Sequence, residues 1–507
     1  MFLCLPCHTK IDRKANRVGR HQTECFIRNI IFHFSIHPNI PNVKPPSPAV
    51  GGITYSATAQ QLLRSAYSRP IGGGSISMPR KLNIVLLLIV VLLLLVTLRP
   101  SSSVPTSMAK WAHLPFQVPK AAAAVVFPEV QSIYQAVAKV RSLPSDHALT
   151  QRFSRMFETR SKLGTLVVPP SFEAKARELF AAYPGGTKNL GFITNQTIIT
   201  TYNRYTEEYT MFNEVRRYRP GYQEKLSPES EHVIQQAIRD SEGADKCDFC
   251  SVERTAVDVF GRIESKHCYT ASNVAKYEQW HGLIVSKAHS PLVFDKDMMQ
   301  DYMETAHEWY RRVNKLDPEA QFPHLMWDAG KRAAASQIHQ HLQMIITQDR
   351  YLTRTEHTKA ASVRFEQDHS LNYWEELIAI HEALGLAVRA GPTVVLSYIT
   401  PIKEREMIIV TENSHHPSFG RAIAAALHAL TDDIGCRAFS LAISFAPLDN
   451  KGNTAFGPFP AMARVVDRGS PMDTRSDVGA MEFYGANNVG ADPYQIMPFL
   501  RKQVAQV

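Results

Sequence analysis

Cysteine is scarce in this 507-residue chain, and its number is odd: seven. A sparse, odd set excludes a scaffold held by disulfides. Uncharged apolar runs are scarce too, apart from Leu82–Leu98, which is almost all Leu, Ile and Val. Net charge is missing where a nucleic-acid binder would carry it. The formal charge is +9, but residues 1–81 hold 11 Lys/Arg against only Asp12 and Glu24, which leaves 45 basic and 45 acidic residues in the remainder. The basic character belongs to the leader, so nucleic acid is excluded as a partner. What is present is ordinary for folded protein, 44% hydrophobic and 20% charged residues, in a length that allows about three domains.

Residues 1–77 mix Pro, Ser, Gly and His without periodicity. They read as part of a disordered basic leader, 1–81, or as an upstream extension, because Met78-Pro-Arg-Lys81 starts a signal-like segment. Cys4-Leu-Pro-Cys7-His8 matches a haem-attachment pattern, but nothing around it supports one, and it reads as chance. The run 82–98 is short for a transmembrane helix and long for a cleaved signal core. A helix apolar on every side does not suit a soluble surface. The expectation is a transmembrane helix or signal anchor over 82–98, with a cleaved signal peptide as the alternative. The basic N-terminal flank would stay cytoplasmic. This predicts a single-pass membrane protein with a lumenal catalytic region of ER/Golgi type.

Residues 99–190 read as a tether and a helical region, with Val130, Ile133, Val137 and Val140 at helical spacing and a second helix from Phe172 to Tyr183. Asn195-Gln-Thr197 is a glycosylation acceptor if this part is lumenal. Thr206–Phe212 is β-prone and leads into Arg216, Arg217 and Arg219, either an anion site or a solvated basic loop. Cys247-Asp-Phe-Cys250 allows a redox pair, a metal half-site or coincidence, and zinc would need two further ligands. From Gln279 a short apolar strand runs to its end at a histidine, His289. A helix follows over Asp297–Lys315, then a strand, Pro323–Trp327, and a turn, Asp328–Gly330. In the next stretch His339 and His341 alternate with Ile338 and Leu342, and Gln343 continues the alternation, so strand spacing puts all three on one face. Burying such a row costs free energy unless its members are paired, so it marks either a half-solvated face or a site. The remainder reads as helix Trp374–Leu386, strands Thr393–Tyr398 and Glu406–Val410, helix Phe419–Ile434 and strand Ala438–Phe445. That order suggests that 351–507 is a second, degenerate copy of the unit in 191–350.

Taken in order, five segments resemble galactose-1-phosphate uridylyltransferase, of the histidine-triad (HIT-like) superfamily. They are Arg204-Tyr205 through Arg216-Arg-Tyr-Arg219-Pro220, Cys247-Asp-Phe-Cys250, Ser286-Lys-Ala-His289, Ser336-Gln-Ile-His339-Gln-His341-Leu-Gln343 and Val478-Gly-Ala-Met-Glu-Phe-Tyr484. The resemblance runs from about residue 200 to residue 505. It implies an α+β fold of two HIT-like halves, each an antiparallel sheet with helices, the second half degenerate. It implies zinc held by Cys247, Cys250, His289 and His339, with His281 and Cys268 as rival ligands. It makes His341 the nucleophile and gives Gln343, which cannot titrate, the phosphoryl oxygens to orient. Arg216, Arg219, Asn273 and Ser336 become substrate contacts, helped by backbone amides of the Gly330–Ser336 loop.

The implied reaction is nucleotidyl transfer between a nucleoside-diphosphate sugar and a sugar 1-phosphate or phosphate through a covalent nucleotidyl-histidine. Gln340 and Leu342 stand where that family carries Pro and Gly, and in this the motif looks more like nucleoside-diphosphate-sugar phosphorylases. A phosphorylase, or an inactive nucleotide- or sugar-binding relative, is therefore the alternative. Pro460–Val466 lacks histidine, so no second metal is expected. The expected partners are nucleotide sugar, sugar phosphate and, through 82–98, a membrane. A homodimer is left open.

Overall fold

The computed structural model describes residues 118, 127–219, 226–448, 459–476 and 478–507, all within one unit, Val104–Val507. Its frame is a nine-stranded antiparallel sheet. In chain order the strands are β4 (Cys268–Ser272), β5 (Trp280–Ser286), β6 (Phe322–Ala329), β7 (His341–Thr347), β8 (Ala387–Ala390), β9 (Thr393–Ser397), β10 (Met407–Thr411), β11 (Phe439–Ser444) and β12 (Ala461–Asp467). Their order across the sheet is β4-β5-β7-β6-β11-β12-β10-β9-β8. A smaller sheet, β1 (Phe157–Thr165), β2 (Asn195–Asn203), β3 (Tyr209–Phe212) and β13 (Ala486–Val489), has β13 parallel to β3 and the other pairs antiparallel. The fold is thus mixed α+β, as expected.

The large sheet repeats itself about its middle. From the β6–β11 pair outward, β7 then β5 follow on one side, and β12 then β10 on the other. A helix joins β5 to β6, Lys296–Leu316 (α1 here), and another joins β10 to β11, Pro417–His428 (α2). α1 starts where Asp295 accepts from the amides of Asp297 and Met298, which satisfies two otherwise orphaned donors. Its buried stripe, Met299, Tyr302, Met303, Ala306, Trp309, Tyr310 and Val313, recurs at steps of three and four and packs on one face of the sheet. α2 crosses α1 closely at Gly420, where a Cβ would come within 3.2 Å of the Gln300 backbone. β9 and β10 are buried at every position, which fits their apolar centres, Val394–Leu396 and Met407–Val410.

The small sheet lies on the second half of the large one. Thr201 donates to the carbonyl of Ile399 (2.7 Å), and Thr210 to that of Pro401 (2.8 Å). Behind them sits a buried ionic group. Arg464 of β12 reaches Glu208 at 2.8 Å and Glu406 at 2.6 Å, and Tyr398 donates to Glu208 at 2.7 Å. Each carboxylate holds the arginine cationic, and the segment between β2 and β3 is clamped onto the sheet as a result.

Several expectations change. The region expected to be helical contains β1, between helices Ala148–Met156 and Pro170–Leu179. Its sequence, Phe-Glu-Thr-Arg-Ser-Lys-Leu-Gly-Thr, is polar in keeping with its place at the edge of the sheet, where among the described residues it pairs with β2 alone. A helix over Thr353–His369 also went unread, having no clear apolar periodicity. The helix read as continuous to Ile434 ends its α-helical part at His428 and turns more widely over Ala429–Ile434.

The expected membrane helix at 82–98, like the haem-like Cys4–His8 motif, lies outside the described residues. Among the described residues no helix is long and apolar enough to cross a membrane. A single-pass membrane protein with a lumenal catalytic region, and a membrane as partner, are therefore not supported, and those expectations are corrected. The uncharged run that prompted them is a local property of sequence and does not by itself make a span.

Candidate functional site

Cys247 and Cys250 sit on a single turn after the helix Pro228–Ser241, and the amide of Cys250 donates to the carbonyl of Cys247. β5 ends at Ser286 and delivers His289. The loop before β7 delivers His339. The ligand atoms of these four residues all lie within 4.8 Å of one another. Cys250 Sγ is 3.3 Å from His289 Nδ1 and 3.4 Å from His339 Nδ1, and Cys247 Sγ is 3.4 Å from His339 Nδ1. A tetrahedral zinc with ordinary Zn–S and Zn–N bonds would set those sulfur–nitrogen edges at about 3.5 Å. Both histidines present Nδ1 to the centre. Each anchors its outer nitrogen, His339 Nε2 on the carbonyl of Ser286 at 2.7 Å and His289 Nε2 on Ser241 Oγ at 3.0 Å. Such outer contacts fix tautomer and ring orientation in metal sites. The donor set is that of a closed metal site. The rivals are elsewhere: Cys268 meets Ser265 and Thr305, and His281 lies on the open face of the sheet.

His339, His341 and Gln343 do not form one row. β7 begins only at His341, and His339 precedes it, turned into the cysteine–histidine cluster. The reason is local: the Ser286 amide donates to the carbonyl of Gln340 and the Gln340 amide to that of His289, so the chain joins β5 just beyond His339. His341 and Gln343 share the face opposite α1, while Gln340, Leu342 and Met344 are buried.

His341 Nδ1 lies 2.9 Å from the carbonyl of His339. That carbonyl can only accept, so the proton sits on Nδ1 and the lone pair on Nε2. Burial lowers the pKa of His341 and keeps the ring neutral, against the opposing pull of its bond to the His339 carbonyl and the Asp328 charge. The ring packs against Phe249, with centroids 5.2 Å apart. Phe249 stands between the two cysteines, so the turn that carries Cys247 and Cys250 also walls His341. Gln343 Oε1 accepts from Tyr277 Oη (3.2 Å) and lies 3.1 Å from His281 Nε2. Its carbonyl end is occupied, which turns its NH2 away from them.

Asp328, read from sequence as part of a turn, ends β6 on the same face. It accepts from Ser440 Oγ at 2.6 Å and lies 4.0 Å from Arg468, and burial raises its pKa. Tyr277 and Phe249 were not singled out in the sequence, where His281 entered only as a rival metal ligand and Asp328 only as part of a turn. Of the first two, Phe249 alone had a signal there, its place inside Cys-x-x-Cys.

The other expected contacts divide. Asn273 meets His281 Nε2 through Nδ2 at 3.0 Å and so stands behind Gln343. Ser336 is exposed, in a loop made possible by Gly330, whose φ of +83° suits glycine and where a Cβ would meet the Arg437 carbonyl at 3.2 Å. The amides of Ala333, Ala334 and Ala335 bond back to Gly330 and Lys331 and close this loop. They are spent, and the amides left to meet oxygens are those of Ser336 onward. Arg216 and Arg219 are not beside His341; they line a separate cavity with Arg332 and Arg468.

No family model and no curated protein matches this chain. Among solved structures it is similar to an ADP-glucose phosphorylase from Arabidopsis thaliana with bound ADP-glucose, at 14% identity over 60% of this chain and 99% of that one, with a TM-score of 0.45. It is similar to a GalT-like protein from the same plant, at 14% identity over 50% and 91%, TM-score 0.42. It is also similar to a uridylyltransferase, at 12% identity over 48% and 86%, TM-score 0.40.

Proposed function

We propose that the chain is a nucleotidyltransferase that works through a covalent nucleotidyl-histidine at His341. The observation that carries this reading is the Nδ1 contact of His341 with the His339 carbonyl, which leaves a neutral Nε2 lone pair on the open face. Nε2 attacks the α-phosphorus of a nucleoside-diphosphate sugar. The bond from that phosphorus to the bridging oxygen breaks, and its electron pair leaves with the sugar phosphate. A phosphate oxygen of the acceptor then attacks the same phosphorus, the P–N bond breaks, and its electrons return to the imidazole. Nδ1–H stays on the His339 carbonyl throughout and stabilises the positive charge on the ring. The Gln343 NH2 donates to the non-bridging oxygens as they gain charge.

Cys247, Cys250, His289 and His339 would hold zinc. With four protein ligands and no open position, the ion would serve to fix the segment that carries His341 and Phe249. The acceptor is a sugar 1-phosphate, as in hexose-1-phosphate uridylyltransferases. Inorganic phosphate is the second candidate, because Gln340 and Leu342 give the strand the look of the nucleoside-diphosphate-hexose phosphorylases. Asn273 and Ser336 would contact the nucleotide from either side of β7.

The test is incubation with nucleotide sugar labelled at the α-phosphorus, then acid and base treatment. Acid-labile, base-stable label on His341, lost in His341→Gly, is expected. Nucleotide-sugar binding with no label would instead identify an inactive binding protein.

A further inference from the structure

Polar side chains on the open face of the sheet run across the strands as well as along β7. Met326 pairs with Gln343, so two residues further along each strand Asp328 stands opposite His341. On its other side Asp328 pairs with Ser440 of β11. Directly paired residues of antiparallel strands share a face, with Cα atoms about 4.5 to 5.5 Å apart. The opposite flank of His341 is apolar. There Val285 and Leu283 of β5 pair with His341 and Gln343 and cluster with Tyr269, Phe249 and Val252. The hydroxyl of that cluster, on Tyr269, is spent on the Phe249 carbonyl at 2.8 Å. The oxygens of a phosphoryl group at His341 are therefore better met from β6, where Asp328 is the neighbouring polar side chain.

Asp328 is held with one oxygen engaged and the other open. An Arg468 nitrogen donates to Ser440 Oγ at 2.8 Å, and Ser440 donates to Asp328 Oδ1 at 2.6 Å. Ser440 has one hydrogen to give, and it is committed to Oδ1. Oδ2 has no hydrogen-bond partner among the described residues, and Arg468 stays 4.0 Å from Oδ1. A proton on this carboxyl group therefore sits on Oδ2. Burial, which raises the pKa, outweighs the opposing pull of the Ser440 hydrogen bond, Arg468 and His341. The other groups that face Asp328 hold one charge state. Arg468 is cationic, Tyr277 is raised by burial and by the Asp328 charge and stays un-ionised, and burial keeps His341 neutral.

We propose that Asp328 meets the nucleotide as a neutral carboxylic acid, taking up a proton with the substrate and donating from Oδ2 to the α-phosphoryl oxygens at His341. This rests on the transfer reading above. An ionised carboxylate beside a diphosphate is opposed by like-charge repulsion, whereas the protonated form removes one negative charge and adds a donor. The arriving phosphates favour that proton further, because their charge penalises the anion. The proton comes from solvent as the nucleotide binds and returns when it leaves, so no bond of the substrate changes. Gln343 donates at any pH, but Asp328 donates only when protonated, and this couples nucleotide affinity to pH.

The experiment is calorimetric titration of the full chain with UDP-, ADP- and GDP-hexose analogues in which CH2 replaces the bridging oxygen. These bind without transfer, and their own charge is constant over the range used, about pH 5 to 8. Affinity should fall as pH rises, by up to about tenfold per unit above the pKa of the free carboxyl group. Titration in buffers of different ionisation enthalpy should show uptake of up to about one proton. Asp328→Asn should lose both effects, and near pH 8 it should bind about tenfold or more tightly than the natural chain, since its amide donates without a charge. Asp328→Ala should also lose the proton uptake and keeps the test open should the first variant not fold. A carboxylate that only anchors Arg468 predicts the reverse, weaker binding in Asp328→Asn at every pH, and that result overturns the proposal. So does pH-independent binding in the natural chain, or proton uptake that survives in the variants. Absence of nucleotide binding would overturn this inference and the transfer reading together. Binding with the expected pH dependence, but no label on His341, would refute transfer and leave this inference standing.

Discussion

The side chain at position 343 depends on two others that sequence spacing did not connect to it. Tyr277 Oη donates to Gln343 Oε1, and His281 Nε2 is 3.1 Å from the same oxygen. Burial lowers the pKa of His281 and keeps it neutral, so Nε2 can either donate to Gln343 or accept from Asn273, one at a time. Tyr277 is the contact that always serves Gln343. Its hydrogen bond contributes about 1 kcal/mol net, less where water can replace it, and Tyr277 is 60% exposed. If that bond does no more than aim the Gln343 NH2 at the phosphoryl group, Tyr277→Phe should slow transfer by about threefold to fivefold. Gln343→Ala removes the donor itself and should cost about a hundredfold. The assay is single-turnover formation of labelled His341 by rapid quench, for both single variants and the double. Because Tyr277 acts through Gln343, Tyr277→Phe should cost nothing more in the Gln343→Ala background. If the two losses multiply instead, Tyr277 meets substrate directly and the positioning argument is refuted.

Four further outcomes follow from the structure. Gln343→His would place a titratable group beside His341 and should divert product from transfer to hydrolysis, read from the ratio of nucleoside monophosphate to transferred product; an unchanged ratio would deny Gln343 its role. Cys247→Ser should lose most bound zinc by elemental analysis and lower the melting temperature with it, because ligand binding and folding are coupled; a stable, active, metal-free variant would sink the zinc assignment. Glu208→Gln should destabilise the chain by about 1.5 to 3 kcal/mol in denaturant unfolding, since Arg464 loses one charge-assisted contact and keeps Glu406. Burial lowers His307, His324 and His381 from 6.5 to about 4. The unfolded chain therefore binds more protons between those values, so stability should be full above pH 6.5 and fall as pH drops toward 4; a melting temperature flat across that window would contradict their burial as neutral rings.

Much of the site was legible in the sequence because its pieces are short and chemically unusual. Two cysteines three apart, a histidine just past an apolar strand and two histidines two apart can each be seen without a fold, and all four expected metal ligands do meet in space. The mixed α+β class was also visible, since strands and helices alternate along the chain. Local sequence could not say where β7 begins. Spacing placed His339 on the strand, but a hydrogen-bonded join to β5 starts the strand one residue after Gln340, and this turns His339 to Cys247, Cys250 and His289 and His341 to the open face. Nor could it supply the partners of Gln343 or the neighbour of His341. Tyr277, His281 and Asp328 come from β6 and from the segment that ends in β5, and only pairing across the sheet brings them together. Arg216 and Arg219 show the same limit. Their charge is written in the sequence, but packing decided their neighbours and placed them in a cavity lined also by Arg332. Residue type sets what a group can do; the register of distant strands sets what it can reach.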